Sequence, residues 1–282
     1  MTTFVEPTSL EEACWALDEV GPGARIISGG TALVLMMRLG LVSPDTLVSL
    51  RAVPGLRGIS RQPGHLAIGA GSTLSDVAAD PEVRSAAPSL AYACSRVGNV
   101  RVRNVATIAG NIAEADYASD PPTVLVALDA SCAVQGPARR RSVMVRDLIT
   151  GFFTTSLERG EIIASVTVPV VTGLRRESYQ KYVSRSSEDR PCVGVAAVGD
   201  FSGEEVVGLV VVVGAVADVP QRLDDITNQA IGRPLDSDLR DSIAGSYAEA
   251  IDPMEDDRGS AWYRRRMIQV LVRRALERVA QP

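Results

Sequence analysis

Apolar side chains recur in this chain with two periods, and the switching between them predicts the order of elements. Leu10, Cys14 and Leu17 fall at helical spacing between Ser9, a residue suited to cap a helix, and the stop Gly21-Pro22-Gly23. Residues 9–20 therefore read as a helix, with Glu11 and Glu12 at the positive end of its dipole. Residues 25–28 read as a short strand, Gly29-Gly30-Thr31 as a turn, and 33–39 as a second helix closed by Gly40. Strands follow at 46–50 and 66–69, then a helix at 74–79 broken by Asp80-Pro81, and a helical stretch at 89–97 that ends at Gly98-Asn99. The small and polar segment 103–113 shows no period. Pro121-Pro122 opens a helix that runs to near Leu128. Residues 130–135 and 141–145 pair about Gly136-Pro137, and 162–168 alternate as a strand ended by Pro169.

From about residue 170 the pattern changes. Residues 177–183, 193–201 and 206–213 read as three strands joined by short turns, hence antiparallel. Two amphipathic helices, 236–250 and 261–279, follow. The last carries Met267, Leu271, Leu276 and Val279 on one side, while Arg264, Arg265, Arg266, Arg273, Arg274 and Arg278 read as its solvated face. The expected fold is α+β overall: an α/β region to about residue 170, then a smaller α+β region with an antiparallel sheet and C-terminal helices.

Composition narrows the function. The chain has 282 residues, enough for about two domains, with 46% hydrophobic and 22% charged residues. A net charge of −5 argues against a nucleic-acid partner. No apolar run approaches the roughly 20 residues of a membrane span. The first seven residues lack a signal-peptide pattern, so a cytoplasmic protein is expected. Cys14, Cys94, Cys132 and Cys192 form no C-x-x-C pair and read as buried small residues, which excludes an iron–sulfur cluster or zinc ribbon held by this chain alone. The single histidine, His65, reads as a turn residue entering a strand and cannot make a two-histidine metal site. With no G-x-S-x-G elbow either, side-chain catalysis is poorly supplied, and a bound cofactor or a binding role is favoured.

Which cofactor depends on the glycine segments. Gly69-Ala70-Gly71-Ser72-Thr73-Leu74 lacks the third glycine of a dinucleotide fingerprint, and no P-loop is present. Ser28-Gly29-Gly30-Thr31 lies between a strand and a helix, and Thr107-Ile108-Ala109-Gly110-Asn111 lies in the non-periodic segment. Successive backbone N–H groups without bulky side chains make an anion nest, and a helix behind the first segment adds its dipole. Thr31, Thr107 and Asn111 offer side-chain donors, so the two segments are suited to clasp a pyrophosphate from two sides. Taken singly, each reads better as a tight turn.

Together with Asp120, these segments resemble the flavin-binding middle subunit of the molybdenum hydroxylases: the FAD subunits of carbon monoxide dehydrogenase and the FAD domain of xanthine dehydrogenase. An Ala-Gly-Gly-Thr-Asp-Leu-like segment of that family is similar to Ser28–Leu33 here. Its Arg-Asn, Thr-Ile-Gly-Gly-Asn and Asp pattern is similar to Arg103-Asn104, Thr107–Asn111 and Asp120. The likeness continues through 68–73, 125–130, Phe152–Thr155, Glu161–Ile163, Lys181, Arg185, Asp189 and Gly259–Arg265, nearly end to end. It implies a two-part FAD-binding domain over 1–170 and a C-terminal domain over 171–282.

The resemblance also implies roles. Ile26, Ile27, Ser28, Gly29, Gly30, Thr31, Ala32 and Leu33 would wrap the FAD pyrophosphate, and Val97 would stand near the flavin. Thr107, Ile108, Ala109, Gly110 and Asn111 would bind the other side of the pyrophosphate and the flavin end. Asp120 would accept hydrogen bonds from a ribose or ribityl hydroxyl. Ile163 would contact the cofactor, and Lys181 would sit by the flavin ring, where a cation stabilises negative charge. Three departures stand out: Ala32 for a polar residue, Ala109 for a glycine, and Asp116-Tyr117 for Ser-Pro, with Tyr117 able to stack on a ring. The implied function is an FAD-binding electron-transfer subunit. Its implied partners are an iron–sulfur small subunit and a molybdenum-cofactor large subunit, and its acceptor NAD, a quinone or oxygen. A self-contained flavoenzyme acting on a small molecule, and a scaffold that has lost its flavin, are the alternatives.

Overall fold

The computed structural model describes residues 2–281; residues 1 and 282, the outer ends of the two expected domains, lie outside it. Strands β1 (Thr3–Val5), β2 (Ala24–Ile27) and β3 (Thr46–Ser49) form a parallel sheet in the order β1-β3-β2. Helix α1 (Leu10–Val20) starts where Ser9 accepts a hydrogen bond from the Glu12 N–H, as its sequence predicts, and buries Ala13 and Cys14 against Val48 and Ile162. Helix α2 (Leu33–Arg38) leaves the end of β2 and buries no residue. Strand β1 was not legible in the sequence, because three residues are too few to establish a period.

A second, five-stranded sheet follows. It is built from β4 (Ile59–Gln62), β5 (His65–Gly69), β6 (Ser131–Gln135), β7 (Arg140–Met144) and, after the short hairpin β8 (Ile149–Gly151) and β9 (Thr154–Thr155), β10 (Ile162–Pro169). Its order is β4-β5-β10-β6-β7 and every pairing is antiparallel. The first 170 residues are thus α/β only in their opening part. Helices α3 (Leu74–Ala79), α4 (Pro81–Ala86), α5 (Pro88–Ser95), α6 (Val100–Arg103), α7 (Ile108–Glu114), α8 (Asp120–Ala127) and α9 (Val145–Leu148) accompany this sheet. All eight residues of α8 are buried, so it runs through the interior.

The C-terminal part is an antiparallel sheet of β11 (Leu174–Tyr182), β12 (Val193–Ser202), β13 (Glu205–Gly214) and β14 (Gln221–Arg222), in that order. Strand β12 is buried on both faces. Ala196 and Val198 join the core around α8, while Val195 and Ala197 join a second core with α11 (Ser237–Ala250) and α12 (Ala261–Ala280); the short α10 (Asp224–Thr227) precedes these two helices. The apolar interior is therefore continuous across residue 170: β11 packs against α5, and α8 packs against β12 and β13.

One helical expectation fails. Arg264 does not lie on a solvated face of α12: it is fully buried, donating to Met254 O at 2.8 Å and to Asp256 Oδ1 at 2.6 Å. Long amphipathic side chains mislead periodicity when a loop carboxylate covers their face. All four cysteines are buried, as expected. Among the described residues no helix is long and apolar enough to cross a membrane.

Candidate cofactor site

The loop after β2 is shaped by two glycines. A Cβ on Gly29 would lie 2.1 Å from the Val105 carbonyl oxygen, so this loop is pressed onto the chain just ahead of Thr107. Gly30 turns it with φ +70°. Among the described residues, the amide N–H groups of Gly29, Gly30, Thr31 and Ala32 donate to no protein acceptor. Four successive unpaired amides, with no acidic side chain among them, form a ready anion nest.

The second segment differs. Ile108 and Ile112, one turn apart and both buried, close it into helix α7, so the stretch that showed no period is helical. The amides of Ile108 to Asn111 are already engaged. Ile108 donates to Ser72 O at 3.0 Å, Ala109 to Ala70 O at 3.3 Å, Gly110 to Thr107 Oγ1 at 3.2 Å and Asn111 to Thr107 O at 2.9 Å. Gly110 has no positive φ, so helical geometry rather than backbone strain governs it. The segment is a rigid wall, braced by the Gly69–Thr73 stretch. It still offers the Thr107 hydroxyl and the Asn111 side-chain amide as donors, the Asn111 oxygen accepting from Ser119 Oγ at 3.0 Å. Behind the wall, Ala70 donates to Ala164 O at 3.1 Å, which brings buried Ile163 close at the β10 bulge.

Asp120, the next residue after Ser119, starts a second cluster. It is buried, and its oxygens accept from Tyr179 Oη at 2.7 Å and Lys181 Nζ at 2.9 Å. The expected free carboxylate for a sugar hydroxyl is thus already engaged. Lys181 also donates to Arg96 O at 2.8 Å. Two of the three ammonium N–H bonds are used and one remains. Arg103 clamps the adjoining loop by donating to Val97 O at 3.1 Å and Gly98 O at 2.7 Å, which fixes Val97 beside the cluster. Burial pushes the Asp120 carboxyl up from its ordinary value, with Lys181, Tyr179 and Arg96 pulling it back. Burial, followed by the Asp120 charge, holds the Tyr179 phenol well above its usual range. Sequence reasoning missed Tyr179 and Arg96, and it placed Arg103 in the motif without its role as a loop clamp. The signal for Tyr179 was its spacing of two from Lys181, which puts both on one face of a strand.

Asp116 and Tyr117 face elsewhere. Asp116 pairs with Arg190 at 2.8 Å. The Tyr117 hydroxyl donates to Asp256 Oδ2 at 3.1 Å and accepts from Arg258, while its ring meets Phe152 and Phe153 edge-on at 5.2 and 6.1 Å. Tyr117 is a tie to the C-terminal part and not an open stacking platform. A cavity of about 610 Å³ between the Pro54–Leu56 loop and β6, β7 and β10 is lined by none of the candidate residues.

A run of free amides after β2, a braced helical wall and a buried cationic cluster, without a dinucleotide fingerprint, suit a nucleotide cofactor bound outside the Rossmann pattern. Residues 1–171 match the FAD binding domain in molybdopterin dehydrogenase, and 178–279 match the CO dehydrogenase flavoprotein C-terminal domain. The chain belongs to this family of FAD-binding oxidoreductase flavoproteins. It is 34% identical to the glyceraldehyde dehydrogenase medium chain of Sulfolobus acidocaldarius, over 99% of this chain and 98% of that one. It is 30% identical to the carbon monoxide dehydrogenase medium chain of Hydrogenophaga pseudoflava, over 96% and 94%. A solved carbon monoxide dehydrogenase from Hydrogenophaga pseudoflava superposes with a TM-score of 0.95 at 29% identity, covering 99% of this chain and 96% of the other. Quinoline 2-oxidoreductase from Pseudomonas putida superposes with a TM-score of 0.94 at 29% identity, covering 100% and 97%.

Proposed function

We propose that this chain is the medium, flavin-bearing subunit of a molybdenum hydroxylase complex, relaying electrons from an iron–sulfur partner to an acceptor such as NAD or a quinone. The observation that carries the reading is the run of unpaired amides from Gly29 to Ala32, set against the α7 wall. The nest fits a pyrophosphate, which FAD has and FMN lacks. The nest amides hold the phosphates, and Asn111 adds a side-chain donor. The ring end then lies toward Val97 and Lys181, reached from the nest through Asn111, Ser119 and Asp120. FAD, when bound, supplies the capacity to accept two electrons and to release them one at a time. The residues of the chain position it, exclude water and place positive charge near it.

A partner is supported by exposed apolar side chains flanking this path. Val34, Leu35 and Leu39 follow the nest directly, and Val100 and Val105 follow the Val97 loop; all five are exposed. Such a face is ordinarily covered in an assembly. Relatives named as medium chains of glyceraldehyde and carbon monoxide dehydrogenases support the same division of labour. The test is to release the cofactor by heat, identify it by chromatography, and reduce the protein with and without a cluster-bearing small subunit. FAD, rapid reduction only with the partner present, and no turnover of hydroxylase substrates by the chain alone are expected. Bound FMN, or turnover of a small molecule by the isolated chain, would overturn the proposal.

A further inference from the structure

One carboxylate and two cations meet beside the Val97 loop. Asp120 holds Lys181 Nζ at 2.9 Å on one oxygen and the Tyr179 hydroxyl at 2.7 Å on the other. The guanidinium of Arg96 therefore stands beside a carboxylate that already accepts two other donors. Arg96 Nε is buried and without a hydrogen-bond partner, and among the described residues no carboxylate forms an ion pair with Arg96. Its central carbon lies 5.9 Å from the centre of the Tyr92 ring. Tyr92 in turn meets Tyr179 edge-on at 6.5 Å, so the side chain is braced by an aromatic face.

An unpaired buried donor is expensive, more so on a charged group. Whether or not Asp120 carries a proton, positive charge in this cluster exceeds negative by at least one.

We propose that Arg96 is a cofactor-facing cation that donates to the acceptor edge of the flavin ring and, with Lys181, stabilises the negative charge gained when FAD takes up two electrons and one proton. This rests on the reading that the ring end lies toward Val97 and Lys181.

The test is the midpoint potential of the bound flavin in the full FAD-loaded chain, measured by reductive titration against a reference dye, for Arg96→Gln, Arg96→Lys and Lys181→Gln. Arg96→Gln is expected to bind reduced flavin about tenfold more weakly relative to oxidised flavin, a shift of roughly 30 mV to more negative potential. Arg96→Lys, which keeps the charge, should remain near the wild-type value. Should Arg96→Gln fail to retain FAD while Arg96→Lys retains it at wild-type potential, the need for a cation is equally shown. An unchanged potential in Arg96→Gln, with Lys181→Gln shifted, would overturn the role of Arg96 and leave the flavin placement standing. Unchanged potentials in both would overturn the placement and the inference with it. Loss of FAD in both Arg96 variants would overturn it in favour of a purely structural arginine.

Discussion

Replacing Gly29 by alanine tests the clasp at its tightest point. The added Cβ would meet Val105 O at 2.1 Å, Val105 C at 2.8 Å and Ala106 Cα at 3.0 Å. All three are backbone atoms, so no rotamer change relieves the clash, and the loop must move away by more than 1 Å to restore ordinary contact. Overpacking of this kind costs about 1–3 kcal/mol in stability. A movement of that size also takes nest amides out of the ~2.7–3.2 Å range in which they hold a phosphate oxygen. A charge-assisted hydrogen bond contributes about 2 kcal/mol, so each one lost weakens FAD roughly 30-fold. Gly29→Ala should therefore fold, with FAD affinity reduced at least about 30-fold when deflavinated protein is titrated with FAD and followed by flavin fluorescence. A folded variant that binds FAD within about threefold of wild type would refute the clasp.

Three further outcomes follow from the structure. Asp256→Asn strips the buried Arg264 of its carboxylate and should destabilise the protein by about 3–5 kcal/mol in chemical denaturation. Burial disfavours the Asp256 charge, but hydrogen bonds from Arg258 and Arg264 outweigh it and hold this carboxyl well below the usual range. A depressed folded pKa contributes stability above the unfolded value near 4 and loses it as pH falls further; wild type should weaken below about pH 4, and the asparagine variant should lack that component. Tyr117→Leu removes the tie to Asp256 and Arg258, so stability should fall by about 1–2 kcal/mol while the bound-flavin absorption spectrum stays unchanged; an altered spectrum would show that the ring stacks on the flavin. Gly245→Ala, in the middle of α11 with no atom within 4 Å of the new Cβ, should leave FAD binding intact and raise stability by about 0.8 kcal/mol, read as a Tm higher by a few degrees.

Much of this architecture was legible in the chain because long elements carry long periods. The Ser9 cap, the break at Asp80-Pro81, the entry at Pro121-Pro122 and the strands 193–202 and 205–214 fall where the pattern put them. Short elements did not show. Three residues of β1 and four of β4 cannot display alternation, and α7 was hidden by Ala109, Gly110 and Ala113, which blur a helical face that rests on two isoleucines. At the site, residue identity showed where glycines and donors lie but could not show which amides are free. That depends on whether Ser72 and Ala70 reach across to α7, a contact fixed by the fold and by no local signal. Arg264 was misplaced for a related reason: its partner Asp256 lies in a loop, outside any period.

The difference between the two glycine segments decides how they can act. A nest holds an anion through amides that have no other acceptor, and among the described residues the Gly29–Ala32 loop offers four of them in succession. The α7 segment has the amides of Ile108 to Asn111 engaged with Ser72, Ala70 and Thr107, so what it contributes is a fixed surface and the Thr107 and Asn111 side chains. On the proposed placement, affinity would concentrate in one loop, while the second would set how far the phosphates can move along it. The Gly29–Ala32 loop is also the one followed by a helix with no buried residue, so it has little packing of its own. Held mainly by its contact at Val105, it is the part of the site most open to being ordered by its ligand, and by any partner that covers Val34, Leu35 and Leu39. Cofactor retention and subunit assembly would then stabilise the same short helix, each strengthening the other through the order they share.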